Sequence, residues 1–246
     1  MWSETRPLLE VQDLRAGRDD RNALVRGASL HVGAGEIVSI VGPPSAGKST
    51  LLMALYGLAP THSGRVLFDD RDITNIRPRE ALRSAGITFV PQGGSLFPGM
   101  TVEENLELGM YLARDRHLVR ARVRSVYALF PELSEHAHTP AGSISRTEQR
   151  ILELGRALMW TPRLGILDGV LEGLDEQVAT SILATLQHLN EETGLTLLMA
   201  EQSARPCLTA SHRGYLMEAG RQTFEGHGEE LLRSPAVNQS LGATLD

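Results

Sequence analysis

The feature that most constrains this chain is a strand, loop and helix near its first fifth. A largely apolar run, Ile37-Val38-Ser39-Ile40-Val41, leads into Gly42-Pro43-Pro44-Ser45-Ala46-Gly47-Lys48-Ser49-Thr50, and helically spaced Leu51, Leu52, Leu55 and Leu58 follow. A short apolar run stopped by a turn signal reads as a buried strand. Strand, glycine-rich loop and helix in that order make a P-loop. The spacing has a chemical reason. Backbone N–H groups of a tight loop and the positive end of the following helix converge on phosphate oxygens. Lys48 adds a point charge on the β- and γ-phosphates, and the Ser49 hydroxyl can ligate Mg²⁺. The chain is therefore expected to bind a nucleoside triphosphate. Whether it splits one is a separate question.

Composition narrows the class. The 246 residues, 41% hydrophobic and 22% charged, suit one large α/β domain or a domain with an inserted subdomain. A formal net charge of −6 without a dense Lys/Arg block argues against a nucleic-acid partner. The single cysteine, Cys207, excludes an intrachain disulfide and fits a reducing compartment, where it reads as a small buried hydrophobe. Met1-Trp2-Ser3-Glu4-Thr5-Arg6 lacks a signal-peptide core, and no run nears the roughly 20 apolar residues that span a bilayer. A cytoplasmic chain is expected, held at a membrane only through partners.

Along the chain, residues 8–11 and 28–32 read as strands around a turn-rich stretch at 16–20, and 33–36 turns into the P-loop strand. Residues 64–70 read as another strand, and 87–92 as a buried strand stopped by Pro91. From Thr101 the period changes. Thr101-Val102-Glu103-Glu104 has the form of a capping box, with a helix through Leu106 and Met110 behind it. Residues 118–130 place Val119, Val123, Val126, Tyr127 and Phe130 on one helical face, leaving Arg114, Arg116, Arg120, Arg122 and Arg124 as its solvated side. Residues 97–160 thus read as a helical insertion in an α/β core. Strand patterns return at 164–168, ending in Asp168, and at 195–200 and 213–218; a helix spans about 175–192, and a short tail closes the chain. No internal repeat or low-complexity linker is present.

The P-loop, Pro91-Gln92, the stretch from Ser145 to Gln149 and the strand ending in Asp168 together resemble the nucleotide-binding subunits of ATP-binding-cassette (ABC) transporters over almost the whole chain. Residues 64–74 and 100–106, Gly155-Arg156-Ala157-Leu158-Met159 and Glu201-Gln202 are similar to the branched-chain amino acid importer branch. The resemblance implies an α/β P-loop NTPase core with an antiparallel β subdomain and an inserted α-helical subdomain, one ABC domain over 1–246. It also implies ATP and Mg²⁺ as ligands. Gly42 to Thr50 would be the Walker A motif. Gln92 would be the Q-loop glutamine, a Mg²⁺ ligand that reports to the membrane subunits, and Asp168 the Walker B carboxylate. Residues 173–175 match the D-loop, and 144–149, with Ser145 and Gln149, occupy the signature position. Such subunits pair head to tail, as homo- or heterodimers, with ATP between the Walker A of one and the signature of the other. They sit on the inner face of the membrane beneath transmembrane permease subunits, and residues 93–105 are the expected contact with these.

Four positions depart from the family pattern. The glutamate that polarises the attacking water is replaced by Gly169, and a general base is worth roughly 10²–10⁴-fold in rate. Glu172 stands nearby, where the family varies, and is not the expected substitute. The switch histidine is Gln202, which can hydrogen-bond a γ-phosphate without carrying charge. The signature glycines are Arg146 and Thr147, which add bulk where the partner's nucleotide approaches; a guanidinium there could instead pair with phosphate. Arg18 stands near the place of the aromatic residue that stacks on adenine, and its planar guanidinium can also stack. Binding elements are kept and turnover elements eroded. Two readings follow: an importer motor that couples ATP to uptake, or a catalytically impaired half that binds ATP beside an active partner.

Overall fold

The computed structural model describes residues 6–242, so the N-terminal hexapeptide apart from Arg6 lies outside the described residues. Among the described residues, ten strands form two sheets. In chain order the strands are β1 (Pro7–Ala16), β2 (Val25–Gly33), β3 (Ile37–Val41), β4 (Thr61–Phe68), β5 (Arg71–Asp72), β6 (Ile87–Val90), β7 (Leu164–Asp168), β8 (Thr196–Ala200), β9 (Arg213–Glu218) and β10 (Arg221–His227). The helices are α1 (Lys48–Leu55), α2 (Pro78–Glu80), α3 (Val102–Gly109), α4 (Arg116–Leu129), α5 (Pro131–Glu135), α6 (Arg146–Leu158), α7 (Glu176–Thr193), α8 (Ala204–Ala210), α9 (Gly228–Arg233) and α10 (Pro235–Leu241), with one π turn at Ala81–Ala85. None is long and apolar enough to cross a membrane.

The larger sheet has the order β10-β9-β3-β8-β7-β6, parallel from β9 to β6. The smaller is antiparallel, β2-β1-β4-β5. Strands β3, β7 and β8 are buried at every position, because both faces of a parallel sheet are covered. Alternating side chains divide the core. Ile37, Leu167, Leu197 and Met199 face the layer that holds α3 to α7. Their neighbours Val38, Ile166, Leu198 and Ala200 face α1 and the small sheet. This is the period-2 geometry of a strand written into two separate cores.

Between the adjacent parallel strands β6 and β7 the chain runs through α3, α4, α5 and α6. Two reciprocal capping boxes start helices here, Thr101 with Glu104 for α3 and Ser145 with Glu148 for α6. On α4, Val119, Val123 and Val126 are buried, while Arg116, Arg120 and Arg124 are exposed and Arg122 is half-buried.

Some boundaries differ from the sequence reading. Strand β1 runs to Ala16, since it is the inner strand of its sheet and pairs on both sides. Strand β4 begins at Thr61 and stops at Phe68, because Asp69 and Asp70 take left-handed turn conformations. The expected short tail holds β10, α9 and α10. Strand β10 has little apolar pattern and exists because β9 supplies its hydrogen bonds.

One buried cation joins the sheets. Arg213 on β9 donates to both carboxylate oxygens of Glu36 (2.7 and 2.9 Å), to the His31 carbonyl of β2 (2.7 Å), and to Glu225 of β10. It is 2% exposed. Removing one partner of a buried pair leaves the other uncompensated, at about 3–5 kcal/mol. Arg213→Ala is therefore expected to lower unfolding stability by about that amount in urea titration, and Arg213→Lys to recover only part, lacking the planar fork.

Candidate functional site

The site begins where β3 ends. At Gly42 an added Cβ would lie 2.1 Å from the Met217 carbonyl oxygen, so only glycine passes. Gly47, at φ +100°, is the N-cap of α1, and a Cβ there would lie 2.9 Å from the Leu24 carbonyl. The loop is tied down by Ala46 N–H to Pro43 (3.2 Å) and by Gly220 N–H to the Ala46 carbonyl (2.9 Å). It forms one wall of a cleft of about 230 Å³, lined also by Leu24, Gln92, Asp168, Gly169, Ala200, Glu201 and Gln202.

Lys48, the first residue of α1, donates from Nζ to the carbonyls of Gly42 (2.7 Å) and Pro43 (3.1 Å). Burial lowers its pKa, and the nearby carboxylates of Asp168 and Glu201 oppose that shift. Ser49 donates from Oγ to Asp168 Oδ1 at 3.0 Å. Asp168, at the end of β7, is 5% exposed. Burial pushes its pKa up, Glu172 adds to the shift, and the Ser49 hydrogen bond and the Lys48 charge oppose it. A buried carboxylate beside a hydroxyl is a hard-oxygen donor set that a Mg²⁺ ion would satisfy, with phosphate oxygens completing its shell. Bound there, Mg²⁺ would neutralise charge on the β- and γ-phosphates.

The structure gathers Pro44 to Thr50, Gln92, Asp168 and Gln202 around this cleft, with Gly42 and Pro43 under Lys48. Two expected contacts lie elsewhere. Ser145 caps α6, accepting from the Glu148 N–H, and Gln149 donates to the Ala141 and Ile144 carbonyls (3.1 Å each). Gln149 lines a separate small cleft with Gly93, Arg146 and Glu172. Arg18 is exposed on the 17–24 loop and is not among the described residues that line the nucleotide-sized cleft; Leu24, from the same loop and 49% exposed, is. Its position was not legible beforehand, because a loop's path depends on what it packs against.

Sequence reasoning also passed over Glu201 and gave Glu172 little weight. Glu201 is 3% exposed and accepts from the Leu171 N–H at 3.0 Å. Its signal is a carboxylate directly after a largely apolar strand. Glu172 accepts from Gln92 Nε2 at 2.7 Å and from Gln202 Nε2 at 3.4 Å.

Burial pushes the Glu201 pKa up to about 8, against its backbone hydrogen bonds. An acid whose folded pKa lies above its unfolded value binds more protons in the folded state. Its stabilising contribution is therefore whole below the unfolded value near 4.5 and is lost as pH rises toward 8. The wild-type melting temperature is expected to fall between pH 5 and 8, and Glu201→Gln to flatten that fall, as read by calorimetry.

The sequence matches the ABC transporter family over residues 25–171. It is 35% identical over 212 residues to the high-affinity branched-chain amino acid transport ATP-binding protein BraG of Pseudomonas aeruginosa, covering 86% of this chain and 90% of that one. It is 35% identical over 196 residues to the probable branched-chain amino acid transport ATP-binding protein LivF of Archaeoglobus fulgidus, covering 80% and 82%. The fold superposes on the ADP conformation of the ABC-transporter cassette MJ1267 with a TM-score of 0.83 at 26% identity, over 96% of this chain and 98% of that one. The phosphate loop, the carboxylate at the end of β7 and the sheet order that brings them together thus belong to a chain that is a member of the ABC transporter ATP-binding family.

Proposed function

We propose that this chain is the ATP-binding subunit of an amino-acid importer of the branched-chain type, and that it splits ATP more slowly than its relatives. The observation that carries this is an intact phosphate cradle, with Lys48 and the Ser49–Asp168 pair in place, beside a residue 169 that has no side chain. The likeness to BraG and LivF supports the transported class. ATP with Mg²⁺ is the ligand, Lys48, Gln92, Asp168 and Gln202 meet the triphosphate and its ion, and Leu24 offers the base an apolar wall.

The whole chain acts as one ABC domain, with about 97–160 as its helical subdomain. It pairs with a second such subunit, identical or not, and docks on permease subunits at the inner face of the membrane. Residues 93–105 are the docking segment. Phe97 in it is 53% exposed, while buried Asn105 holds the loop by accepting from the Phe97 N–H (2.9 Å) and donating to its carbonyl (3.0 Å).

The slow-turnover part rests on Gly169, Arg146 and Thr147. Restoring a glutamate at 169 is not a simple repair. Gly169 has φ +60°, and an added Cβ would lie 3.1 Å from Gln92 Cγ. The purified chain is expected to bind MgATP, to lose that binding in Lys48→Ala, and to release phosphate roughly 10²-fold more slowly than BraG assayed beside it. Gly169→Glu alone is expected to leave the rate low. Phosphate release at BraG's rate by the unmodified chain would remove the impaired reading, and absence of MgATP binding would remove the ATP-binding one.

A further inference from the structure

Gly169 stands out for its backbone as well as for its missing side chain. The Gly169 N–H donates to the Ala200 carbonyl (2.8 Å), and the Gly169 carbonyl accepts from the Glu172 N–H (3.3 Å), so residues 169–172 close a tight turn off the end of β7. Its positive φ suits glycine and few other residues. Buried Glu201 braces this turn through the Leu171 N–H. The turn carries the Glu172 side chain, which lines the neighbouring small cleft, to the two glutamines at the edge of the nucleotide-sized one. There one carboxylate oxygen accepts from Gln92, just beyond β6, and the other from Gln202, just beyond β8. Both glutamines line the nucleotide-sized cleft. An exposed glutamate without fixed partners samples many rotamers; two amide donors on opposite oxygens hold this one between the elements that flank a γ-phosphate.

We propose that Glu172 is the water-orienting carboxylate of this site, reaching from one turn farther along the chain the place that residue 169 cannot fill. The proposal rests on the ATP-binding reading above. In this role Glu172 accepts a hydrogen bond from the attacking water. The water oxygen bonds to the γ-phosphorus as the bond from that phosphorus to the β,γ-bridging oxygen breaks. ADP keeps the electron pair of the broken bond, and the displaced water proton passes to the phosphate product or to solvent. A carboxylate held only by two amides, on an exposed turn, aims the water less firmly than one fixed at the strand end. Turnover is accordingly slowed rather than abolished.

The test uses the full chain, its E172Q variant, and D168N as the inactive control. Three quantities are measured: MgATP affinity, phosphate release, and affinity for MgADP with vanadate, which mimics the phosphoryl group under attack. E172Q is expected to keep MgATP affinity within about twofold, to lower kcat by at least about 10-fold, and to weaken MgADP–vanadate by a similar factor. A merely structural glutamate would move MgATP affinity as much as vanadate affinity. Phosphate release by E172Q equal to or faster than that of the unmodified chain would overturn the proposal; a faster rate would mark Glu172 as a latch on the two glutamines. So would unmodified chain no faster than D168N, or vanadate affinity unchanged in E172Q. Failure of the unmodified chain to bind MgATP would overturn the ATP-binding reading itself, and the binding measurement separates that failure from the others.

Discussion

Between β3 and α1 the backbone passes so close to Met217 that no side chain fits at Gly42, and so close to Leu24 that none fits at Gly47. This double approach fixes the loop against β9 on one side and the 17–24 loop on the other. The loop in turn sets where Lys48 and Ser49 emerge, because both belong to the first turn of α1. The parallel order β3-β8-β7 then brings Ala200 and Asp168 into register beside it. Ligand sites of open α/β sheets lie at the carboxyl ends of parallel strands, and this cleft is one.

Charge inside the cleft is unevenly shared. One cation, Lys48, faces Asp168 and Glu201, and Glu172 stands at the rim. Burial, with repulsion from neighbouring carboxylates, raises both inner carboxylates, and a single buried ammonium does not offset two of them. Glu201 differs from Asp168 in facing inward, onto the turn that follows β7, so its carboxyl serves the backbone rather than a ligand.

Residues 169, 146 and 147 all lie outside the phosphate loop. They also differ from one another in kind. Gly169 alters a backbone path and hence the reach of its neighbours. Arg146 and Thr147 open α6 in a regular capped helix whose start is held by Ser145 and Glu148.

Much of this was written locally. The P-loop strand, β9 and the capping box of α3 stand where the residues placed them, because each rests on short-range rules: an apolar run, a glycine spacing, a Thr-x-x-Glu pair. The candidate residues Lys48, Ser49, Gln92, Asp168 and Gln202 were legible for the same reason, each lying beside a strand end or loop with a recognisable pattern. Other features depended on partners far along the chain. Strand β10 is mostly polar and needs β9; Leu24 lines the cleft where the 17–24 loop passes close to Gly47 and Gly220. Glu172 meets Gln92 and Gln202 only because β6, β7 and β8 lie side by side and Gly169 turns left-handed between them. The phosphate cradle is readable from residue order, since backbone N–H groups and one lysine need only a spacing. Which carboxylate faces that cradle was decided by the tertiary structure, since it depends on the direction in which a buried strand releases its next four residues.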